Sequence, residues 1–116
     1  MKIVSNKNKI TLLELSKMSK RMFGDLVKAV VDVKKEIMAV DAEMHADEEA
    51  ELLSGDSKQQ DLWGINLYPE LFGQDDFIEF DSMINLRPSQ NNRSRSVDDP
   101  DTREKIINIV NKLVKK

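Results

Sequence analysis

Cysteine is absent from all 116 residues, which excludes disulfides, thiolate metal sites and a cysteine nucleophile, and suits a reducing compartment. Also missing is any apolar run approaching the ~20 residues of a membrane span. The stretch Met1 to Lys9 is broken by Ser5, Asn6 and Asn8 and has no apolar core after its lysines, so it does not read as a targeting segment. The expectation is a cytoplasmic protein without a membrane partner. Excess charge is lacking as well. With 21 acidic against 18 basic residues the net charge is -3, and nothing global draws the chain to nucleic acid or an anionic surface. Any polyanion site must therefore be local. No stretch is a Gly/Ser-rich or Pro-rich linker, and the length suits one domain, residues 1–116, able to bury roughly two-thirds of its unfolded surface.

What the chain does have is a pair of similar pentapeptides, Ile65-Asn66-Leu67-Tyr68-Pro69 and Ile84-Asn85-Leu86-Arg87-Pro88. In each, two branched apolar residues flank an Asn with period-two spacing. The Pro that follows cannot continue a central strand, so each copy reads as a strand end. Extended backward, Trp63, Ile65 and Leu67 share one face of a strand, and Ile78, Phe80, Ile84 and Leu86 share one face of another. The opposite faces carry Asn66 and Tyr68, and Glu79, Asp81, Asn85 and Arg87. That is the pattern of an antiparallel sheet buried on one side, its other face open to chemistry or to water.

Around these strands the local signals are of unequal strength. Thr11 and Glu14 have the spacing of a capping box, and Ile10 and Leu15 that of a hydrophobic staple, predicting a helix from Leu12 that Gly24 ends. Its stripe is Leu15, Met18 and Met22. Ile3 and Val4 read as a short strand or a lead-in. Residues 26–44 fit a helix stripe through Leu26, Val30, Val33, Ile37, Val40 and Met44. They also fit a hairpin, with Val27, Ala29, Val31 and Val33 on one face and Lys34-Lys35-Glu36 near the turn. Clustered valines favour the hairpin, although the usual Asn-Gly turn is missing. Ala46 to Leu53 reads as a helix ended by Ser54-Gly55-Asp56-Ser57, and Gly73-Gln74-Asp75-Asp76 as a loop. Asp99 and Pro100 open a C-terminal helix whose stripe is Ile106, Ile107, Val110 and Val114, widened by Ile109 and Leu113. The expected fold is α+β: a largely antiparallel sheet of about four strands with about three helices mainly on one face, in the order α-β-β-α-β-β-α.

Three words, His45-Ala46-Asp47-Glu48-Glu49, Asp61 to Pro69 and Ile84 to Gln90, followed by Asn92-Arg93-Ser94, resemble those of a family of small prokaryotic proteins described as a domain of unknown function. The resemblance covers most of the chain and implies an ancient cytosolic domain, but no activity, substrate or catalytic residue. A Gly pair that such proteins often show before the His motif is Asp41-Ala42 here, so the tight turn implied there must be made without glycine.

Three sets of residues could carry chemistry. The loop Arg87 to Ser96 gathers three guanidiniums among amides and hydroxyls, with no acid until Asp98. Arg87, Gln90, Asn92, Arg93 and Arg95 could hold a small anionic, phosphate-bearing ligand. Alternatively, the loop's Asn and Ser side chains bond their own backbone and its arginines pair with acids such as Asp98 and Asp99. The only Trp and Tyr are not interleaved with this loop, so nucleic acid is disfavoured as a partner. His45 is the only histidine; were Glu43 to Asp47 extended, Glu43, His45 and Asp47 would face one side, a weak candidate for a divalent metal or an acid and base pair. Its alternative is a backbone bond at a helix start. Glu79 and Asp81 share a face with Arg87 and could act as paired carboxylates, or form an internal ion pair. No HExxH motif, Gly-rich phosphate loop or nucleophile elbow occurs, and no cofactor is implied.

Three functions remain open. One is a non-enzymatic binding or regulatory module for an anion held by the arginine loop. The second is a small hydrolase-like enzyme in which His45 and Asp47, Glu79 or Asp81 meet that loop. The third is an interaction subunit pairing through a sheet face or edge, with a second copy of the chain as one such partner.

Overall fold

The computed structural model describes residues Met1–Lys116. Strand β1 (Lys2–Val4) and the short β2 (Ile10–Thr11) precede helix α1 (Leu12–Met22). Then come β3 (Val27–Asp32), β4 (Ile37–Val40), α2 (His45–Ser54), β5 (Leu62–Leu67), β6 (Ile78–Glu79), α3 (Pro100–Leu113) and β7 (Val114–Lys115). The anticipated order is present, enlarged by β1, β2 and β7. The main sheet has five strands in the order β1-β4-β3-β5-β6, every neighbour antiparallel, while β2 and β7 pair in parallel and tie the two ends of the chain together.

Local chemistry explains most boundaries. The Thr11 hydroxyl accepts from Glu14 N–H and the Glu14 carboxylate accepts from Thr11 N–H, closing the capping box that starts α1. Residues 26–44 are the hairpin. In place of Asn-Gly, the Asp32 carboxylate accepts from the Lys34 and Lys35 N–H groups at 2.9 Å each and from the Ser57 hydroxyl at 2.6 Å, while Glu36 takes a positive φ. Asp41, where the resemblance implied a glycine turn, adopts φ +71°, a left-handed conformation made here without glycine. The Asp99 side chain accepts from Asp101 N–H and Pro100 occupies the first turn of α3.

The sheet is covered on both faces, which corrects the expectation of a spare face. On one side Val27, Ala29, Val31, Met38, Val40, Trp63, Ile65 and Leu67 form the main core with Leu15 of α1 and Ile106, Ile109, Val110 and Leu113 of α3. Ile107 is left on the surface. On the other side Val30, Ala39 and Leu62 pack with Leu52 of α2, and Ile37 and Ile84 lie against them. β5, between β3 and β6, is buried at every residue. The exposed edges, β1 and β6, are only three and two residues long.

The second pentapeptide is not a strand. β6 ends at Glu79, and Met83–Asn85 and Pro88–Gln90 are single 3-10 turns. The reason lies at Gly64. A Cβ there would meet Ser82 at 2.6 Å, so the following segment can lie directly on the strand. The Asn85 amide then accepts from Gly64 N–H and donates to Gly64 C=O, both at 2.9 Å, doing with one side chain what a neighbouring strand would do. Ile84 reaches the second core and Leu86 is left on the surface, so the alternation through Ile78, Phe80, Ile84 and Leu86 does not describe one face.

One buried carboxyl stands apart. Glu48 of α2 is fully buried; its Oε2 accepts from Ala42 N–H at 3.2 Å and its Oε1 has no partner. Burial raises its pKa to about 9, so it is neutral at pH 7.

Candidate ligand cleft

The register of three strands sets a polar row on the α2 side of the sheet. Lys28 of β3 pairs with Asn66 of β5, which pairs with Glu79 of β6. Two residues along, Val30 belongs to the second core and pairs with Gly64, so the row marks where that core gives way to the polar cleft. The Asn66 amide donates to Glu79 Oε1 at 2.8 Å and more distantly to the Asp81 carbonyl, and the Tyr68 hydroxyl donates to the same Oε1 at 3.0 Å. Two donors on one oxygen leave Oε2 of Glu79 without a protein partner.

α2 begins beside this row. Met44, its N-cap, has no side-chain oxygen, and no side chain caps the helix. His45, nine-tenths buried, bonds through Nε2 to the Ile65 carbonyl at 2.8 Å. A carbonyl only accepts, so Nε2 carries the proton and Nδ1 presents a lone pair. Burial lowers the His45 pKa, partly offset by that bond, which keeps the ring neutral at neutral pH. Tyr68 is pushed up to about 12, first by burial and then by its bond to Glu79, and stays a hydroxyl.

Together these groups line a cleft of about 580 Å³. Its apolar walls are Phe23, Leu26, Met44, Met83 and Ile84, and its polar groups are Lys28, His45, Asn66, Tyr68, Glu79, Asp81, Ser82 and Arg95. Arg95 donates through Nε to Asp81 at 2.7 Å. Lys28 has no carboxylate partner; its ammonium lies 4.9 Å from the centre of the Phe23 ring. Asn66 Oδ1, buried, has no donor.

The arginine loop does not gather its donors. Arg87 turns inward, giving hydrogen bonds to the carbonyls of Gln59 and, at 2.6 Å, Leu62, and lies 4.1 Å over the Trp63 ring. Asn92 is buried, donating to the Asn85 and Ser96 carbonyls at 2.7 Å each and accepting from Asp98 N–H at 2.8 Å. Gln90 donates to the Gln60 carbonyl. Arg93 bonds Asp98 through its backbone N–H, and its side chain has no partner. Of the five, only Arg95 reaches the cleft. Asn92 and Ser94 thus bond within the loop, as the alternative reading held, while Arg95 pairs with Asp81 rather than with Asp98 or Asp99.

The His45 neighbourhood is also rearranged. His45 is the first residue of α2, so the chain from Glu43 to Asp47 is not extended and the three side chains do not share a side. Glu43 and Asp47 line a separate groove with Met1, Met22 and Asp41. His45 instead lines one cleft with Glu79, Asp81 and Arg95. Lys28 escaped sequence reading because it sits inside a valine alternation, and its place beside Asn66 depends on strand order. Asn66 and Tyr68 were legible only as outward-facing residues.

A family model described as Protein of unknown function (DUF5674) matches residues 2–113. No curated protein and no solved structure matches the chain. No helix is long and apolar enough to cross a membrane.

Proposed function

From the premise that the chain belongs to the family Protein of unknown function (DUF5674), whose description names no activity, we propose that it is a binding domain for a small anionic ligand seated in the cleft between α2, β5 and the Arg95 loop. The observation that carries this is the ammonium of Lys28, unpaired by any carboxylate, in one cleft with Arg95 and the uncapped N-terminus of α2. Helix N-termini favour negative charge, the lysine adds a mobile donor, and Arg95, paired through Nε with Asp81, offers its remaining guanidinium N–H groups. Arg95 is the contribution of the arginine loop; Arg87, Gln90 and Asn92 hold the fold. Arg93 serves as the outer, solvent-facing cation. The lack of cysteine supports a reducing, cytoplasmic setting.

A second reading, a hydrolase-like enzyme, draws on His45. A neutral imidazole with an unpartnered Nδ1 beside Glu79 and Asp81 has the form of a general base. Ligand capture comes first in either case. The test is thermal unfolding of the wild type, Lys28→Ala and Arg93→Ala with phosphate, acetate and nucleotides at fixed ionic strength. A ligand at ~100 times its dissociation constant adds ~2.7 kcal/mol to the folded state. The expected result is a raised midpoint that is lost in Lys28→Ala and kept in Arg93→Ala; loss in Arg93→Ala alone would return the site to the outer loop.

A further inference from the structure

Resting on the reading that the cleft holds an anionic group, the geometry points to the molecule that carries that group: a free α-amino acid with an apolar side chain, bound as a zwitterion through its carboxylate and its ammonium. Lys28 and Glu79 flank Asn66 in one cross-strand row, two strand spacings or about 10 Å apart at the backbone, and do not pair with each other. Opposite charges held apart across a cleft suit a molecule that carries both signs.

The acceptors make the case from the cationic side. Glu79 Oε2 is left free because Asn66 and Tyr68 both donate to Oε1. His45 Nδ1 has no donor because Nε2 holds the proton on the Ile65 carbonyl. Asn66 Oδ1 also lacks a donor but is itself fully buried, out of a ligand's reach. A primary ammonium can donate to both Glu79 Oε2 and His45 Nδ1, one of them anionic. A simple anion would leave both unmet and would face the Glu79 carboxylate.

The carboxylate end falls to Lys28 and the first turn of α2, with Arg95 already neutralising Asp81. The remaining surface is apolar. Leu26, Met44, Met83 and Ile84 bound the cleft, and both methionines are more than half exposed at its rim, flexible side chains able to close over an aliphatic group.

The experiment is calorimetric titration with three matched probes: leucine, 4-methylpentanoate, which lacks the amine, and 3-methylbutylamine, which lacks the carboxylate. Each is titrated into the wild type, Glu79→Gln and Lys28→Gln, with folding checked by circular dichroism. Leucine is expected to bind the wild type at least about tenfold more tightly than either half molecule. Glu79→Gln should weaken leucine and, by removing the carboxylate that an anion faces, leave 4-methylpentanoate as tight or tighter, so that leucine loses its advantage; a Gln oxygen still accepts from Asn66 and Tyr68. If 4-methylpentanoate binds the wild type as tightly as leucine, the zwitterion assignment falls and the anion site stands. If only 3-methylbutylamine binds, both fall; if none of the three binds, the zwitterion assignment falls and the phosphate and nucleotide titrations decide the anion site.

Discussion

Replacing Glu48 by Gln should make the protein more stable at neutral pH, by an amount that grows with pH. The folded chain holds this carboxyl fully buried, with one oxygen on the Ala42 N–H and the other without a partner. Burial lifts its pKa from 4.5 to about 9. The folded value is the raised one, so the stability that protonated Glu48 allows is fully present below pH 4.5. It falls as the unfolded chain ionises, and the fall ends only when the folded group ionises near pH 9. Each pH unit in that window costs about 1.4 kcal/mol. By pH 7 the cumulative penalty is about 3 kcal/mol. Gln is nearly isosteric with the neutral carboxyl and ionises in neither state, so the stability difference between variant and wild type should rise by about 3 kcal/mol from pH 4.5 to 7. Urea unfolding at several pH values measures it, and the shared titration of every other group cancels in the difference. Parallel pH profiles for the two proteins would refute the reasoning, because they would mean that Glu48 is ionised, solvated or salt-bridged when folded.

Other substitutions separate scaffold from site. Arg87→Ala removes two bonds to carbonyls and the stack on Trp63, and should cost about 3 kcal/mol, whereas Arg93→Ala should stay within about 0.5 kcal/mol; denaturant midpoints that reverse this order would contradict the inward placement of Arg87. Gly64→Ala drives a methyl against Ser82, with an expected loss of about 1–3 kcal/mol in the same assay, and no loss would mean the Ser82 segment does not lie on the strand. Asn85→Ala strips both backbone groups of Gly64 of their partner and should cost about 3 kcal/mol, detectable also as faster hydrogen exchange at the Gly64 amide; unchanged exchange would count against the Asn85 bridge.

Where the sequence could be read, the physics was local. The capping box at Thr11, the Asp99-Pro100 start of α3 and the valine alternation of β3 each depend on neighbours within a few residues, and the structure has all three. The second pentapeptide misled because Asn85 imitates a strand with its side chain. That substitution works only where Gly64, twenty-one residues earlier, lets the chains touch. The same holds for the arginine loop. Clustered guanidiniums looked like one site, yet Arg87 is drawn inward by carbonyls at Gln59 and Leu62, which sequence spacing cannot bring near it. The cleft was half legible. Asn66, Tyr68, Glu79 and Asp81 fell on the polar faces of the central stretches, and His45 with Arg95 belonged to the named candidates. Lys28 became a cleft residue only through the pairing of β3 with β5.

The most direct test of the account is to map a bound ligand by backbone and side-chain NMR chemical shifts, titrating leucine and then acetate into the isotope-labelled protein. A cleft site predicts that the largest saturable shifts fall on Lys28, His45, Asn66, Tyr68 and Glu79, with the His45 ring nitrogens reporting a donor arriving at Nδ1 when leucine binds. Shifts confined to residues 87–94, or none that saturate at any residue of the cleft, would contradict it.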